Sequence, residues 1–164
     1  MKKLIFILLS VFFIGCGQYE IKKEYYEDGA LKGEISYKDG EKNGMINWYH
    51  QNGQLSSEVN MKNGKANGLL KQYYENGQLG IEGVLIDDQK DGVWKWYYES
   101  GELESEVNYK FGEKDGVIRE YSPDGELKNE GNYKDGKHDG LWKTCYLVNE
   151  EGYHWTERNY KDGD

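Results

Sequence analysis

The sequence predicts an all-β protein, an elongated single-layer antiparallel sheet of consecutive β-hairpin repeats. Three observations predict it: landmarks recur every 24 residues, turn signals cut the chain into short runs, and the composition suits strands better than a helical core. The period is plainest in KQYYENGQL (71–79), KWYYESGEL (95–103) and REYSPDGEL (119–127). Turn glycines follow it at Gly29, Gly53, Gly77, Gly101 and Gly125. Leu31, Leu55, Leu79, Leu103 and Leu127 stand two places on from them. A second glycine series runs Gly44, Gly68, Gly92, Gly116 and Gly140. A fixed period of about 20–50 residues marks stacked units that bury their apolar faces only against neighbours.

Of the 164 residues, 37% are hydrophobic and 31% charged, with 22 Gly but 1 Pro. The 15 Tyr and 5 Trp far outnumber the 4 Phe. That mix suits short strands, tight turns and amphipathic aromatics at a wet surface.

The first element is a leader. Lys2 and Lys3 precede an apolar run from Leu4 to Ile14 that only Ser10 interrupts. The run is shorter than the roughly 20 residues of a membrane-spanning helix and has the length of a signal peptide's hydrophobic region. It ends in Phe-Ile-Gly-Cys (13–16), which resembles a bacterial lipobox with Phe13 where Leu is commonest. That resemblance implies cleavage before Cys16, lipidation of Cys16, export, and anchoring to a bacterial membrane, the outer membrane or cell surface in a Gram-negative cell. The expected organisation is a signal peptide over 1–15, a lipidated tether over 16–18 and a repeat domain over 19–164. Removing 1–15 takes away two lysines and no acid, which shifts the net charge from −9 to −11. Such a field disfavours nucleic acid. With Cys16 acylated, Cys145 has no partner for an intrachain disulfide.

Each hairpin is expected to turn at Asp28-Gly29, Asn52-Gly53, Asn76-Gly77, Ser100-Gly101 and Asp124-Gly125. Such dipeptides signal two-residue loops whose central residues both have positive φ. A two-residue loop at Ser100-Gly101 pairs Tyr98 with Leu103, Trp96 with Ser105 and Trp94 with Val107. On the opposite side it pairs Tyr97 with Glu104, Lys95 with Glu106 and Val93 with Asn108. The same spacing sets Lys23 opposite Glu34, Lys71 opposite Glu82 and Arg119 opposite Glu130, while Asn47 meets Glu58. One face is then a solvated Glu/Lys column that keeps Tyr25, Tyr49, Tyr73, Tyr97 and Tyr121. The other is apolar and aromatic, and its candidate binding residues are Trp48, Tyr74, Trp94, Trp96, Tyr98 and Trp142. A longer connection, KDGEKNG (38–44) and its copies, joins the hairpins, with Asp88 replacing a glycine in the third copy. The last copy is longer by three residues near Val148–Gly152, as befits a divergent cap that pairs Lys143 with Glu157.

The pattern Tyr-Tyr-x-Asn/Asp-Gly-x-Leu, then Glu, Tyr-Lys-x-Gly and Gly-Leu/Val-Trp-Lys resembles the MORN repeat. More closely it resembles the bacterial variant in YwqK-family antitoxins, over residues 19–164 as five full copies and a divergent sixth. The resemblance implies a sheet of successive hairpins with a grooved aromatic face, and roles in protein contacts, dimerisation and lipid contact.

Catalytic constellations are not expected. His50, His138 and His154 fall in different repeats; His50, which replaces a repeat tyrosine, and His138, in an exposed loop, are expected to be surface residues. Cys145 with His154 reads as strand-lining thiol and surface imidazole rather than as a nucleophile pair. Asp87, Asp88 and Asp91 lack an EF-hand spacing, and the glycines recur as turns rather than as a phosphate cradle. No catalytic residue, metal site or cofactor is expected. A single-layer sheet has no second layer, so its aromatic face must curl into a trough, dimerise or hold a ligand. Two function classes follow: a lipid-anchored scaffold binding a protein or a glycan at the cell envelope, and an antitoxin or immunity protein that neutralises one toxin.

Overall fold

The computed structural model describes residues 10–13, 18–147, 152–161 and 163. They form one 13-stranded antiparallel sheet in which spatial order follows chain order. The strands are β1 (Ser10–Phe13), β2 (Gln18–Tyr25), β3 (Leu31–Lys38), β4 (Glu41–Tyr49), β5 (Leu55–Lys62), β6 (Lys65–Tyr73) and β7 (Leu79–Ile86). Then follow β8 (Gln89–Tyr97), β9 (Leu103–Lys110), β10 (Glu113–Tyr121), β11 (Leu127–Lys134), β12 (Lys137–Leu147) and β13 (Tyr153–Tyr160). Helices are absent from the described residues, so none there is long and apolar enough to cross a membrane.

The expected register holds through the body of every hairpin. Lys95 pairs Glu106, Trp96 pairs Ser105, Trp94 pairs Val107 and Val93 pairs Asn108. The longer cap pairs Lys143 with Glu157 and Trp142 with Arg158. Residues 148–151 of its expected loop lie outside the described residues.

The two connections exchange their expected roles. At Ser100-Gly101, Tyr98 N–H donates to Glu102 O and Gly101 N–H to Tyr98 O, both at 2.9 Å. Only Gly101 has positive φ, and Tyr97 pairs Leu103 where Glu104 was expected. This is a three-residue loop whose glycine takes the left-handed position. Glu104 is then the extra residue of a bulge, which restores the expected pairing from Trp96 outward. Asparagine suits the position before the glycine because its side chain caps the turn: Asn76 Oδ1 accepts from Gln78 N–H at 2.8 Å.

The true two-residue loops lie in the connection expected to be longer. Lys38 pairs Glu41 across Asp39 (φ 51°) and Gly40 (φ 85°), and each later copy repeats this geometry. Both positive φ values mark the turn type that matches strand twist. In the third copy Asp88 does take the glycine's place, at φ 71°. In the fourth, Phe111 stands in the left-handed region at φ 51°.

Within residues 1–15, the expected signal peptide, Ser10–Phe13 pair along β2, Ser10 opposite Ile21. The β2 edge otherwise presents an unpaired row of backbone groups, which an extended apolar segment can satisfy. Cys16 lies outside the described residues.

Despite the single layer, one face holds a core. Ile35, Ile46, Trp94, Val107 and Ile118 are buried along a column that crosses the ribbon. Its ends carry charge instead: Lys22 pairs Ile35 on β2, and Arg158 pairs Trp142 on β13.

Candidate interaction surfaces

Trp94 is only 4% exposed and is therefore core, not a free contact. Glycine opposite tryptophan explains how a single sheet buries so large a ring. A Cβ added to Gly33, Gly83 or Gly131 would stand 2.5, 2.2 and 2.2 Å from ring atoms of Trp48, Trp94 and Trp142 respectively. Each indole thus occupies the space its partner strand leaves bare. The Trp94 and Trp142 indole N–H groups donate to Val84 O and Asn132 O, both at 3.1 Å.

Neighbouring rings and a lysine close over Trp94. Trp96 and Tyr109 lie 6.1 and 6.3 Å away, centroid to centroid. Lys90 Nζ stands 4.3 Å from the Trp94 centroid and 4.8 Å from those of Trp96 and Tyr109. Three ring faces attract the ammonium, while burial, then repulsion from Lys114, hold the Lys90 pKa below its ordinary value. Two repeats later His138 takes the corresponding place, 4.2 Å from Trp142 and 4.9 Å from Tyr133 and Tyr160. His138 was expected on an exposed loop; its ring is half-buried in this cluster.

Tyr74 and Tyr98 do a different task from that expected of a binding face. Their hydroxyls donate to Tyr97 O and Tyr121 O, each at 2.7 Å, and so fasten one repeat to the next. Tyr26 does the same to Tyr49 O at 2.7 Å, and His50 Nε2 lies 2.8 Å from Tyr73 O. His50 therefore keeps the role of the tyrosine it replaces and is half-buried rather than a plain surface residue. Of the six candidate binding residues, Trp48, Trp96 and Trp142 are half-buried rings on the aromatic face.

On the other face the Glu column is shared. Arg119 bridges Glu106 at 2.8 Å and Glu130 at 2.9 Å, and Lys23 meets Glu34 at 2.7 Å. Lys71 pairs Glu82 in register but makes its ion pair with Glu58, at 3.8 Å. Tyr49, Tyr73 and Tyr97 donate to Glu34, Glu58 and Glu82 at 3.1, 2.9 and 2.7 Å. Burial, then these carboxylates, push the Tyr73 and Tyr97 pKa values up to about 12.

Sequence reasoning missed an apolar column on this same face. Met45, Leu69, Val93 and Leu141, on β4, β6, β8 and β12, are 44–48% exposed, Val117 between them on β10 is half-buried, and Val84 joins them opposite Leu69. The signal was present: the residue after each glycine of the second series is apolar in all five copies, as Met45, Leu69, Val93, Val117 and Leu141. Among the described residues, no cluster of His, Cys, Asp and Glu has the arrangement of a metal site.

The MORN repeat variant family model matches residues 21–39, 42–63, 66–83, 90–111 and 114–135. No curated protein sequence matches the chain.

Proposed function

Because the chain belongs to the MORN repeat variant family, a non-catalytic repeat motif of protein and lipid interaction, we propose that it is a non-enzymatic binding scaffold at the bacterial cell envelope. Lipid on Cys16 holds it to the membrane, and a protein partner docks along the Met45, Leu69, Val93 and Leu141 column. Cleavage before Cys16 would remove β1 and leave β2 as the sheet's first strand.

The exposure of Met45, Leu69, Val93 and Leu141, in a column interrupted by the half-buried Val117, carries the reading. Its side chains stand on the face away from the core, with no second layer over them. A line of apolar groups inside a charged surface is the composition of a docking patch. The half-buried Trp48, Trp96 and Trp142 offer the alternative surface, suited to glycan stacking or to a second copy of the chain.

The test compares partner capture from detergent-solubilised membranes by three proteins. Leu69→Lys with Val93→Lys is expected to abolish capture while leaving the melting temperature close to wild type. Trp96→Ala is expected to lower the melting temperature, and the folded fraction to retain capture. The reverse pattern moves the working surface to the aromatic face. A captured toxin whose activity the protein suppresses identifies an antitoxin. Labelling with a clickable fatty acid checks the anchor: Cys16→Ala must lose the label, or the lipoprotein reading fails.

A further inference from the structure

We propose that the cleft at the turn end of the last repeat is a binding site for a phenol ring, the place of a rung missing from the tyrosine ladder. The ladder occupies one position per repeat. Tyr26, His50, Tyr74 and Tyr98 each reach the backbone carbonyl 23 residues on, at 2.7–2.8 Å. The fifth member is Ser122, whose corresponding acceptor is the Cys145 carbonyl. A serine cannot span that distance. Ser122 is 6% exposed, and its hydroxyl turns to Asp124 and, at 3.2 Å, to Glu126 O.

A cavity of about 530 Å³ lies where the ring would be, lined by Ser122, Lys128, Cys145, Tyr146 and Tyr153 among others. That volume is within the range of about 300–1,000 Å³ typical of ligand sites. In a rung the residue six places on lies beside the ring in two copies. Lys32, six residues after Tyr26, places Nζ 5.8 Å from the Tyr26 ring centroid. Tyr74 packs over the residue six places on, Gly80, where an added Cβ would stand 3.1 Å from the ring. Lys128 stands six places after Ser122, and Cys145 stands 23 places after it. The last repeat therefore keeps the acceptor-bearing residue of a rung, and at the sixth place on a lysine like that of the first rung, but lacks the aromatic ring.

This arrangement defines the ligand chemistry. The ring lies against Tyr146 and Tyr153 beneath the Lys128 ammonium, whose charge favours an aromatic face. The hydroxyl donates to the Cys145 carbonyl as Tyr98 donates to Tyr121 O. A carboxylate ligand is disfavoured, because Asp124 also lines the cavity. The phenol comes either from a free small molecule or from a tyrosine side chain of a partner. The site follows from the ladder alone, so its failure would leave the scaffold reading standing.

The experiment titrates the full chain, under reducing conditions, with p-cresol, with toluene and with an acetyl-Gly-Tyr-Gly-amide peptide, following backbone amide NMR shifts. Saturable shifts with p-cresol are expected around Ser122, Lys128 and Cys145. Binding of toluene should be weaker by about tenfold, the worth of one hydrogen bond. The peptide binds comparably if the site takes a partner's tyrosine; if only p-cresol binds, the source is a free phenol. Ser122→Tyr puts the missing ring back, and should abolish p-cresol binding and raise the melting temperature. Ser122→Phe, which fills the space without the hydroxyl, should block p-cresol equally. Absence of saturable p-cresol shifts in the wild type overturns the proposal, as does undiminished binding in a folded Ser122→Tyr or Ser122→Phe protein.

Discussion

Trp94 covers Gly83: a Cβ on that glycine would stand 2.2 Å from Trp94 Cδ2. Gly83→Ala must therefore expel the indole from a site where it is 4% exposed. Overpacking of this kind costs about 1–3 kcal/mol. Urea unfolding monitored by tryptophan fluorescence should show a loss in that range, with a red shift as the ring moves into water. An unchanged midpoint would mean the ring has another resting place.

Phe111 offers the opposite change. It is 73% exposed and sits at φ 51°, where the other copies of the turn have Asp39, Asn63, Asp87 and Asp135. The left-handed region costs an ordinary residue about 1–2 kcal/mol, and less for Asn. Phe111→Asn should raise stability by about 1 kcal/mol. A drop would show that the exposed ring makes contacts worth more than the strain.

The raised tyrosines are readable by absorbance. With Tyr73 and Tyr97 at about 12, alkaline titration at 295 nm should show a fraction ionising well above the ordinary tyrosine value of 10.0. Their folded pKa values exceed the unfolded ones, so the neutral hydroxyl favours the folded state. That stabilisation is complete below about pH 10 and is lost between about pH 10 and 12. Tyr97→Phe should reduce the late-ionising fraction and flatten the fall in stability over that window.

Arg158 guards the β13 edge. It occupies the end of the core column, opposite Trp142, where inner strands carry Ile35 or Val107. Inward charge on an edge strand discourages pairing with another chain. Arg158→Val should promote self-association in sedimentation velocity at concentrations where wild type stays unassociated. An unchanged distribution would assign the protection to another feature of the edge.

The body of the register was legible because Lys95 opposite Glu106 and Trp94 opposite Val107 depend only on the spacing around the turn. The turn types were not. Asp39-Gly40 and Asn52-Gly53 look alike in sequence, yet the first makes a two-residue loop and the second ends a three-residue one. The bulge at Glu104 offsets the longer loop, so both readings give the same pairs beyond Trp96. Burial of Trp94 was hidden for another reason. Alternation places a ring on a face but does not show that Gly83 opposite it leaves room to lie down. The ladder was hidden too, since Tyr74 and Tyr98 sit in turns, where alternation says nothing about direction. The exposed column beginning at Met45 was readable, but the regular charge around it drew the eye away.

Strand order that never departs from chain order has a mechanical consequence. Tension applied between the first and last strands runs along the pairing direction, across the strands rather than parallel to them. Backbone hydrogen bonds perpendicular to the strands are then loaded a few at a time instead of all together. The ribbon should peel strand by strand from the pulled end at low, nearly constant force, and zip shut again when released. Such a protein would act as an extensible tether, paying out length under strain where a sheet loaded in shear would hold and then fail at once.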